Sequence, residues 1–485
     1  MTKPLDAIKA IAAFRWKGQM IGYWALYLSQ GAFLGSFGPA LQEMSSDRDS
    51  VADYNPAFAL HGLAAIVSAG FFGDIFIQKC LKSSFGRTGL HLLLGTLAVF
   101  LSAWYVCMPL VNRYGGHQWV AFYMLLKGFL IAICNVVINK CAAWTVSNNT
   151  AVKRRVVNSL NGAFACGTIL GPMIAIAVRV TKAELQYLYG ALGAISFVGA
   201  IFIFATDCPQ PDGEESATLL AYDEDLLSVP PTLPSPISGG VFLHVKDDLG
   251  AAKINADSYD PVSNFIVLLA MVIVTLYTGI QVGLAAFLFQ YLERVVPLSL
   301  GHLTHTVCCV IMFLFWGALA VSYALFTRYF FEGLRPTHIF VLTILCVASI
   351  VALISGQDYF GVEYRVHMIA TTLVCYATFI SPLFTGTVQS LINVVSDDLL
   401  ARVSSLLVFG CFCGESFVPV LMGFFMGNYS GSAFGPAAIV YITFVMTIMM
   451  MFVSGLLLYT GKQRLAAKAA SALTNSVATT TNQSA

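Results

Sequence analysis

Charged residues are scarce in this sequence. Asp, Glu, Lys and Arg make up 11% of its 485 residues, and the formal net charge is +1. No Lys/Arg-rich cluster with interleaved aromatic residues is present, so the sequence gives no reason to expect nucleic acid as a partner. The twelve cysteines lie in or beside apolar runs and lack the His/Cys spacing of a tetrahedral metal site. We therefore expect no bound metal and no cofactor.

Apolar residues, in contrast, are abundant and come in long blocks. They make up 58% of the chain. Each block has about 20 residues, the length that crosses ~30 Å of hydrocarbon as an α-helix. The sequence therefore predicts an all-α membrane protein with twelve transmembrane helices. These spans lie roughly at 20–42, 56–78, 89–111, 118–144, 156–178, 185–206, 263–292, 301–326, 337–356, 366–392, 403–427 and 436–460.

A polar segment divides these spans into two groups of six. Residues 207–262 are rich in acids and contain the run VPPTLPSPISGG, which is typical of a flexible linker. We expect one six-helix bundle in residues 1–206, a second in 263–460 and a tail in 461–485. If both termini are cytoplasmic, the N-terminus, the short loops after spans 2, 4, 8 and 10 and the tail hold sixteen Lys/Arg, whereas the opposite loops hold six, in agreement with the positive-inside rule. The linker and the tail are then cytoplasmic.

Several predicted spans carry polar side chains, which cost free energy in lipid unless they face a cavity or a partner. Span 1 places Gln30 on one helical face with two tyrosines, and span 10 repeats the pattern with Ser381 and Thr385. Such groups can be hydrogen-bonded contacts between helices, worth ~0.6 kcal/mol each. They can also line a pathway, because an amide offers a donor and an acceptor side by side, which matches adjacent sugar hydroxyls. Aromatic rings can cover the apolar face of the same sugar.

The order of several motifs along the chain resembles one branch of a known family. These motifs are YTGIQVGLAAFLFQYL, FWG, SPLF and SSLLVFGCFCGESFVPVLMG, which begin at Tyr277, Phe315, Ser381 and Ser404. They resemble the fucose and glucose/galactose proton symporters of the major facilitator superfamily. The stretches GYWALYLSQGAFLGSFGPAL, ILGPMIA and VPLSLGH also resemble that branch's animal relatives, the sodium-dependent glucose transporter-like proteins.

The resemblance implies two helical bundles that rock around a central sugar site, with spans 1, 4, 5, 7 and 10 lining the pathway. Carried over residue by residue, it marks five amide side chains as substrate-binding: Asn135, Asn139, Asn161, Gln281 and Gln290. Gln281 and Gln290 are nine residues apart, which on an ideal helix means opposite faces. Either span 7 unwinds at Gly279 and Gly283, or only one of the two glutamines lines the cavity.

The departures from the family pattern also carry information. Where the relatives usually place a carboxylate in span 4, this chain has Asn135, and where the bacterial members have Glu in span 7, it has Gln281. Tyr323 replaces the Arg that relatives tend to carry after FWG. Asp74, at the cytoplasmic end of span 2, keeps a gating charge.

Two charged residues are predicted near the middle of the membrane, Glu415 in span 11 and Lys127 in span 4. A lone charge at that depth costs ~2.5–3.5 kcal/mol on insertion scales, so each one should be paired or neutralised. We keep three interpretations of Glu415. It is a structural group between helices, a relocated cation-coupling carboxylate, or the partner of Lys127 in a lock between the two halves.

The sequence as a whole predicts a transporter of a small neutral polar solute, with a hexose as the leading candidate. Facilitative transport is favoured because Asn135 and Gln281 cannot titrate. A proton- or sodium-coupled symporter that uses Glu415 and a non-transporting sensor are the alternatives, and an enzyme is not expected. The predicted partners are a sugar-like small molecule, the lipid bilayer and possible coupling protons or sodium ions. The expected location is the plasma membrane or an endolysosomal membrane.

Overall fold

The fold is known from a computed structural model. It describes residues 17–45, 50–72, 86–144, 150–206, 208–209, 261–296, 303–329, 335–359, 362–394, 397–428 and 434–483. Within these ranges the chain folds almost entirely into α-helices joined by short turns, and no β-strand occurs among them. This architecture confirms the predicted all-α class.

The described residues form eleven α-helices, numbered here in chain order. Before the predicted linker lie α1 (Lys17–Met44), α2 (Asn55–Val67), α3 (Gly86–Trp144), α4 (Thr150–Val180) and α5 (Leu185–Phe204). After it lie α6 (Pro261–Val295), α7 (Leu303–Tyr329), α8 (Pro336–Tyr359), α9 (Val362–Val394), α10 (Asp397–Asn428) and α11 (Phe434–Gln483). A 3-10 turn, Val51–Tyr54, precedes α2, and a π-helical turn, Ser68–Phe72, follows it.

Nine of the described helices, α3 to α11, are long and apolar enough to cross a membrane. The predicted number of twelve spans is not confirmed, because the described residues contain eleven α-helices. One reason is that α3 covers two predicted spans: it consists of two helical stretches that meet at a kink at the non-helical residue Gly116, with φ 64° and ψ −165°. Glycine adopts such a positive φ readily. A second reason is that the predicted span 56–78 is described only as far as residue 72.

The two ends of the helix assembly differ in which chain segments they bring together. At one end α1 stops and α2 starts, and the Tyr54 hydroxyl donates a hydrogen bond to the Met44 carbonyl at 2.8 Å. At the other end α1 starts beside the end of α5, where Gly18 lies against Thr206 and the His91 ring contacts the Thr206 carbonyl at 3.0 Å. We call these the Met44 end and the Gly18 end.

Glycines allow close contact between α1 and α4. Gly31 and Gly35 of α1 face the backbone carbonyls of Phe164 and Thr168 in α4, and a Cβ at either glycine would collide with them. Two glycines of α4 face the α1 backbone in the same way. Small residues let membrane helices approach closely and gain van der Waals contact that bulky side chains would prevent.

A second glycine-lined contact joins α6 and α10. Gly414 of α10 faces the Thr275 carbonyl, and Gly279 of α6 faces α10 in return. The Thr278 hydroxyl donates a hydrogen bond across this contact to the Cys411 carbonyl at 3.1 Å. Both contacts therefore hold one helix, α1 or α6, at backbone distance from a helix that follows later in the chain, α4 or α10.

Helices before and after the predicted linker also pack on each other, as α1 on α6, α2 on α10 and α4 on α7. Near the Met44 end, the rings of Phe58 and Phe287 lie 5.6 Å apart, and Asn55 Nδ2 donates to the Val420 carbonyl at 3.4 Å. Not every pair of helices from the two groups is in contact: within the described residues, α3 of the first group and α9 of the second form no comparable contact. The conformation is therefore closed at the Met44 end.

The α1–α4 contact yields a stability prediction. Gly31→Ala should lower the melting temperature, because the new Cβ has no room against the Phe164 carbonyl and overpacking costs about 1–3 kcal/mol. Gly190→Ala is the matched control, since nothing lies within 4 Å of a Cβ at Gly190. Thermal unfolding of the detergent-solubilised protein measures both variants. A melting temperature of Gly31→Ala that is no lower than that of Gly190→Ala would contradict the close contact between α1 and α4.

Candidate functional site

Tyr277 and Gln281, one turn apart on α6, form the centre of a polar and aromatic cluster. Gln281 Nε2 donates a hydrogen bond to the Tyr277 hydroxyl oxygen at 2.7 Å. The Tyr277 ring stacks on Phe384 of α9, with centroids 5.8 Å apart and planes at 27°. Tyr277 is buried, whereas Gln281 and Phe384 are partly exposed. The hydrogen bond orients the Gln281 amide and leaves its carbonyl oxygen available as an acceptor.

Tyr323 of α7 extends this cluster toward α4. Its hydroxyl lies near the side chains of Asn161 in α4 and Thr385 in α9, and it interacts electrostatically with Tyr277. The Tyr323 hydroxyl and Thr385 Oγ1 are buried and near each other, yet neither has a hydrogen-bond partner within 3.5 Å among the described residues. Buried polar atoms are nearly always hydrogen-bonded, so these two hydroxyls have the capacity to bind a further polar group. The Tyr277 cluster consists of Asn161, Tyr277, Gln281, Tyr323, Phe384 and Thr385.

A second set of predicted site residues lies on α1 and α3. Asn139 interacts with the Tyr27 hydroxyl. Gln30 is buried and its Nε2 has no partner among the described residues, and the same holds for the buried Oδ1 of Asn135. Amide atoms with unused hydrogen-bonding capacity are therefore present on helices of both halves of the chain.

The remaining predicted substrate residues have different surroundings. The Ser381 hydroxyl donates a hydrogen bond to the Leu319 carbonyl of α7 at 2.7 Å, so this side chain joins two helices. Gln290 has a buried Oε1 without a partner among the described residues. Because α6 is one continuous helix, Gln290 and Gln281 point in opposite directions, and the expected alternative of an unwound span 7 does not occur. Asp74 lies outside the described residues.

Three aromatic members of the Tyr277 cluster were not predicted as site residues from the sequence. Tyr277 lies four residues before Gln281, a spacing that places both side chains on one helical face, and this signal could have identified it. Phe384 belongs to the SPLF motif, but its stacking on α6 depends on how the helices pack. Tyr323 was noted only as a replacement for Arg.

Lys127 lies in a buried aromatic environment. Its side chain is 4% exposed, and its Nζ lies 3.7 Å from the Phe33 ring centroid and 5.8 Å from that of Trp104. The Trp104 ring stacks on Tyr123 at 5.0 Å, and its Nε1 donates to the Tyr123 carbonyl at 2.8 Å, so its orientation is fixed. Aromatic faces attract a desolvated ammonium group and partly replace its hydration.

Glu415 of α10 faces the protein interior. Phe417 and Phe424, which are 62% and 57% exposed, mark the outer face of α10. At 100° per residue, Glu415 is about 160° and 180° away from them. It interacts electrostatically with Lys127, although no ion pair within 4.0 Å joins the two in the described part of the chain. The two charges that the third interpretation of Glu415 pairs are thus within electrostatic range of each other but form no direct ion pair.

Further charged residues lie at the Met44 end. Arg179 Nη1 of α4 forms an ion pair with Glu43 Oε1 of α1 at 2.9 Å, and His305 of α7 contacts Glu293 of α6. Burial raises the pKa of the Glu43 carboxyl above its ordinary value, and the Arg179 guanidinium opposes this shift. Arg179 also interacts electrostatically with Glu293. At this end, the positive charge of Arg179 on α4 therefore lies within electrostatic range of acids on α1 and on α6.

The chain is similar to known proteins in its structure and not in its sequence. No sequence family profile matches the chain, and no curated protein matches it by sequence. Among solved structures, the nucleoside transporter NupG matches with 12% identity over 91% of this chain and 98% of that chain, with a TM-score of 0.59. A D-xylose-proton symporter matches with 10% identity over 92% and 97%, with a TM-score of 0.57.

A third solved structure is a bacterial homolog to the human lysosomal transporter Spinster in an inward-facing, unoccupied conformation. It matches with 11% identity over 96% of this chain and 99% of that chain, with a TM-score of 0.59. The chain has the fold of the major facilitator superfamily. These neighbours are all transporters rather than enzymes. The superfamily fold and the nine apolar helices agree with the predicted multi-pass membrane protein.

The two hydroxyls predicted on α9 should respond differently to removal. Ser381→Ala should destabilise the protein by about 0.6–1.5 kcal/mol, because it removes the hydrogen bond to the Leu319 carbonyl. Thr385→Val should leave stability nearly unchanged, because Thr385 Oγ1, unlike the Ser381 hydroxyl, donates to no helix carbonyl. Thermal unfolding in detergent compares the two directly. A larger loss in T385V than in S381A would show that Thr385 has a structural partner.

Proposed function

We propose that the protein transports a small neutral polar solute, a hexose, across a membrane by alternating access. The fold supports this proposal, because its solved neighbours are named as transporters of nucleosides, as a D-xylose-proton symporter and as a lysosomal transporter homolog. The proposed moving units are two six-helix bundles, residues 1–206 and 263–460, in which the parts of α3 before and after Gly116 count as separate helices. Residues 207–262 are the proposed linker and 461–485 the tail.

The Tyr277 cluster is the observation that carries the choice of solute. It combines an oriented amide at Gln281, a second amide at Asn161, and the hydroxyls of Tyr323 and Thr385 with unused hydrogen-bonding capacity. The rings of Tyr277 and Phe384 supply an apolar surface beside these groups. Alternating hydroxyls and an apolar ring face are the features of a pyranose, and the two kinds of group match them. The cluster contains no acid, which suits an uncharged solute.

Facilitative transport is part of the proposal. An ion can drive accumulation only through a group that binds it differently in two conformations. At Asn135 and Gln281 the shape of a carboxylic acid side chain is kept without its ionisable proton. A proton- or sodium-coupled symporter is the second candidate, and the interior-facing Glu415 favours it. The proposed location is the plasma membrane or an endolysosomal membrane, with both termini in the cytoplasm.

Removal of one amide from the cluster should weaken apparent affinity. Gln281→Ala and Asn161→Ala should each raise the KM for hexose uptake roughly 10-fold, because a buried sugar hydroxyl would lose its partner at ~1–3 kcal/mol. Ser381→Ala is the control, since the Ser381 hydroxyl is already bound to the Leu319 carbonyl. Radiotracer uptake in a transport-null host measures KM at matched surface expression. Unchanged KM values in both amide variants would place the sugar elsewhere.

The mode of energy coupling can be tested with a non-metabolisable hexose analogue in liposomes. A facilitative transporter should equilibrate the analogue and show no response to ionophores. Steady accumulation that collapses when a proton or sodium gradient is dissipated would contradict facilitative transport. Asn135→Asp should introduce pH or sodium sensitivity if this position faces the route, because it restores an ionisable group where relatives carry one.

A further inference from the structure

Helix α2 lies between two charged residues from different halves of the protein. On one side, Gly128 of α3 packs against the backbone carbonyl of His61. On the other side, the Ser416 hydroxyl of α10 donates a hydrogen bond to the Ala59 carbonyl at 3.3 Å, and its side chain lies against Gly62. Lys127 and Glu415 are the chain neighbours of Gly128 and Ser416. The two charges therefore flank the same short segment of α2.

Few other titratable groups surround this pair. Helix α2 contributes His61, whose Nδ1 contacts the Met124 carbonyl at 3.3 Å and which interacts electrostatically with Lys127. On α10 itself, Cys411 lies one turn from Glu415 and interacts with it, and α6 contributes Tyr277 beside Cys411. Among the described residues, Glu415 is the sole acid that interacts with Lys127.

The pair crosses a contact that must change during alternating access. Lys127 belongs to α3, before the linker, and Glu415 belongs to α10, after it. The contact between α2 and α10 continues from Ser416 to the Met44 end, where Asn55 binds the Val420 carbonyl. Opening the Met44 end moves α10 away from α2 and α3, so it increases the distance between the charges. Attraction between opposite charges in a low-dielectric interior opposes that movement.

We propose that Lys127 and Glu415 form a charge latch whose attraction across α2 stabilises the conformation closed at the Met44 end. This inference rests on the proposed transport function, in which the two halves rock against each other. The aromatic faces of Phe33 and Trp104 hold the ammonium group in place on α3, so the latch opens by movement of α10. Residues Lys127 and Glu415 thereby set the balance between the two conformations.

The test uses the full-length protein in lipid nanodiscs and needs no substrate. Variants are E415Q, K127M, the double variant K127M/E415Q, and the exchange variant K127E/E415K. Glu184→Gln is the control, because Glu184 is an exposed acid in the turn before α5. Hydrogen–deuterium exchange mass spectrometry reports opening at both ends, and thermal unfolding reports stability. Failure of sugar uptake would affect neither measurement, so the latch and the proposed function are judged separately.

Each single variant should increase exchange several-fold at the Met44 end, in residues 55–67 and 415–427, and decrease it at the Gly18 end, in residues 136–144 and 385–394. A merely structural role would raise exchange without this reciprocal pattern. K127E/E415K should restore the wild-type pattern, and E184Q should keep it. Wild-type exchange in both single variants, or a uniform rise at both ends, would overturn the latch.

Stability supplies an independent criterion if a single variant folds poorly. Removal of one charge leaves the other buried without a partner, so E415Q and K127M should each melt roughly 5 °C or more below wild type. The double variant should melt above both single variants, because it leaves no lone charge. If the decrease in melting temperature of the double variant equals the sum of the decreases of the single variants, the two residues do not interact and the latch is wrong. Proton-driven accumulation that disappears in E415Q, with unchanged exchange, would also overturn it and identify Glu415 as a coupling carboxylate.

Discussion

Hydrocarbon offers no hydrogen-bond partner, so every polar group inside the membrane has to find one within the protein. The backbone meets this requirement by forming helices, and most side-chain hydroxyls meet it by bonding to a helix carbonyl. Thr278 does so across the α6–α10 contact, and Ser381 does so across the α7–α9 contact. Against this background, Tyr323 and Thr385 are two of the buried side chains whose hydroxyls make no such bond, and they lie close together in the Tyr277 cluster. In the proposed function, a hydroxyl-bearing solute would complete their hydrogen bonding.

The same packing device occurs in both halves of the chain. The first described helix, α1, is held to α4 by facing glycines, and the first helix after the linker, α6, is held to α10 in the same manner. If the parts of α3 before and after Gly116 are counted separately, both contacts join a first helix to a fifth. Internal repeats are common in secondary transporters. The corresponding positions of these glycines are therefore consistent with such a repeat.

Local sequence patterns predicted the helices well, because apolar blocks of membrane-spanning length are a property of consecutive residues. The predicted span 263–292 corresponds to α6, Pro261–Val295, with ends that differ by two or three residues. The number of helices differs from the predicted number of spans partly because the two stretches of α3, which cover the predicted spans 89–111 and 118–144, meet at a kink at Gly116. Gln281 was marked from the motif in which it lies. Phe384 and Tyr323 were missed because their role depends on helices brought together only by folding, and the chain contains 36 Phe and 20 Tyr.

The glycine contact between α1 and α4 has a mechanical consequence. Backbones that are in contact over a helical turn cannot shift relative to each other by side-chain rotation alone. We therefore expect α1 and α4 to move as one rigid unit. In the proposed transport cycle, Gln30 and Asn161 would therefore keep their mutual spacing, because they lie on α1 and α4. A solute bound by both would keep these partners on one side of the cleft while the opposite side approaches or withdraws. Differences in affinity between conformations would arise from the gap between the two sides.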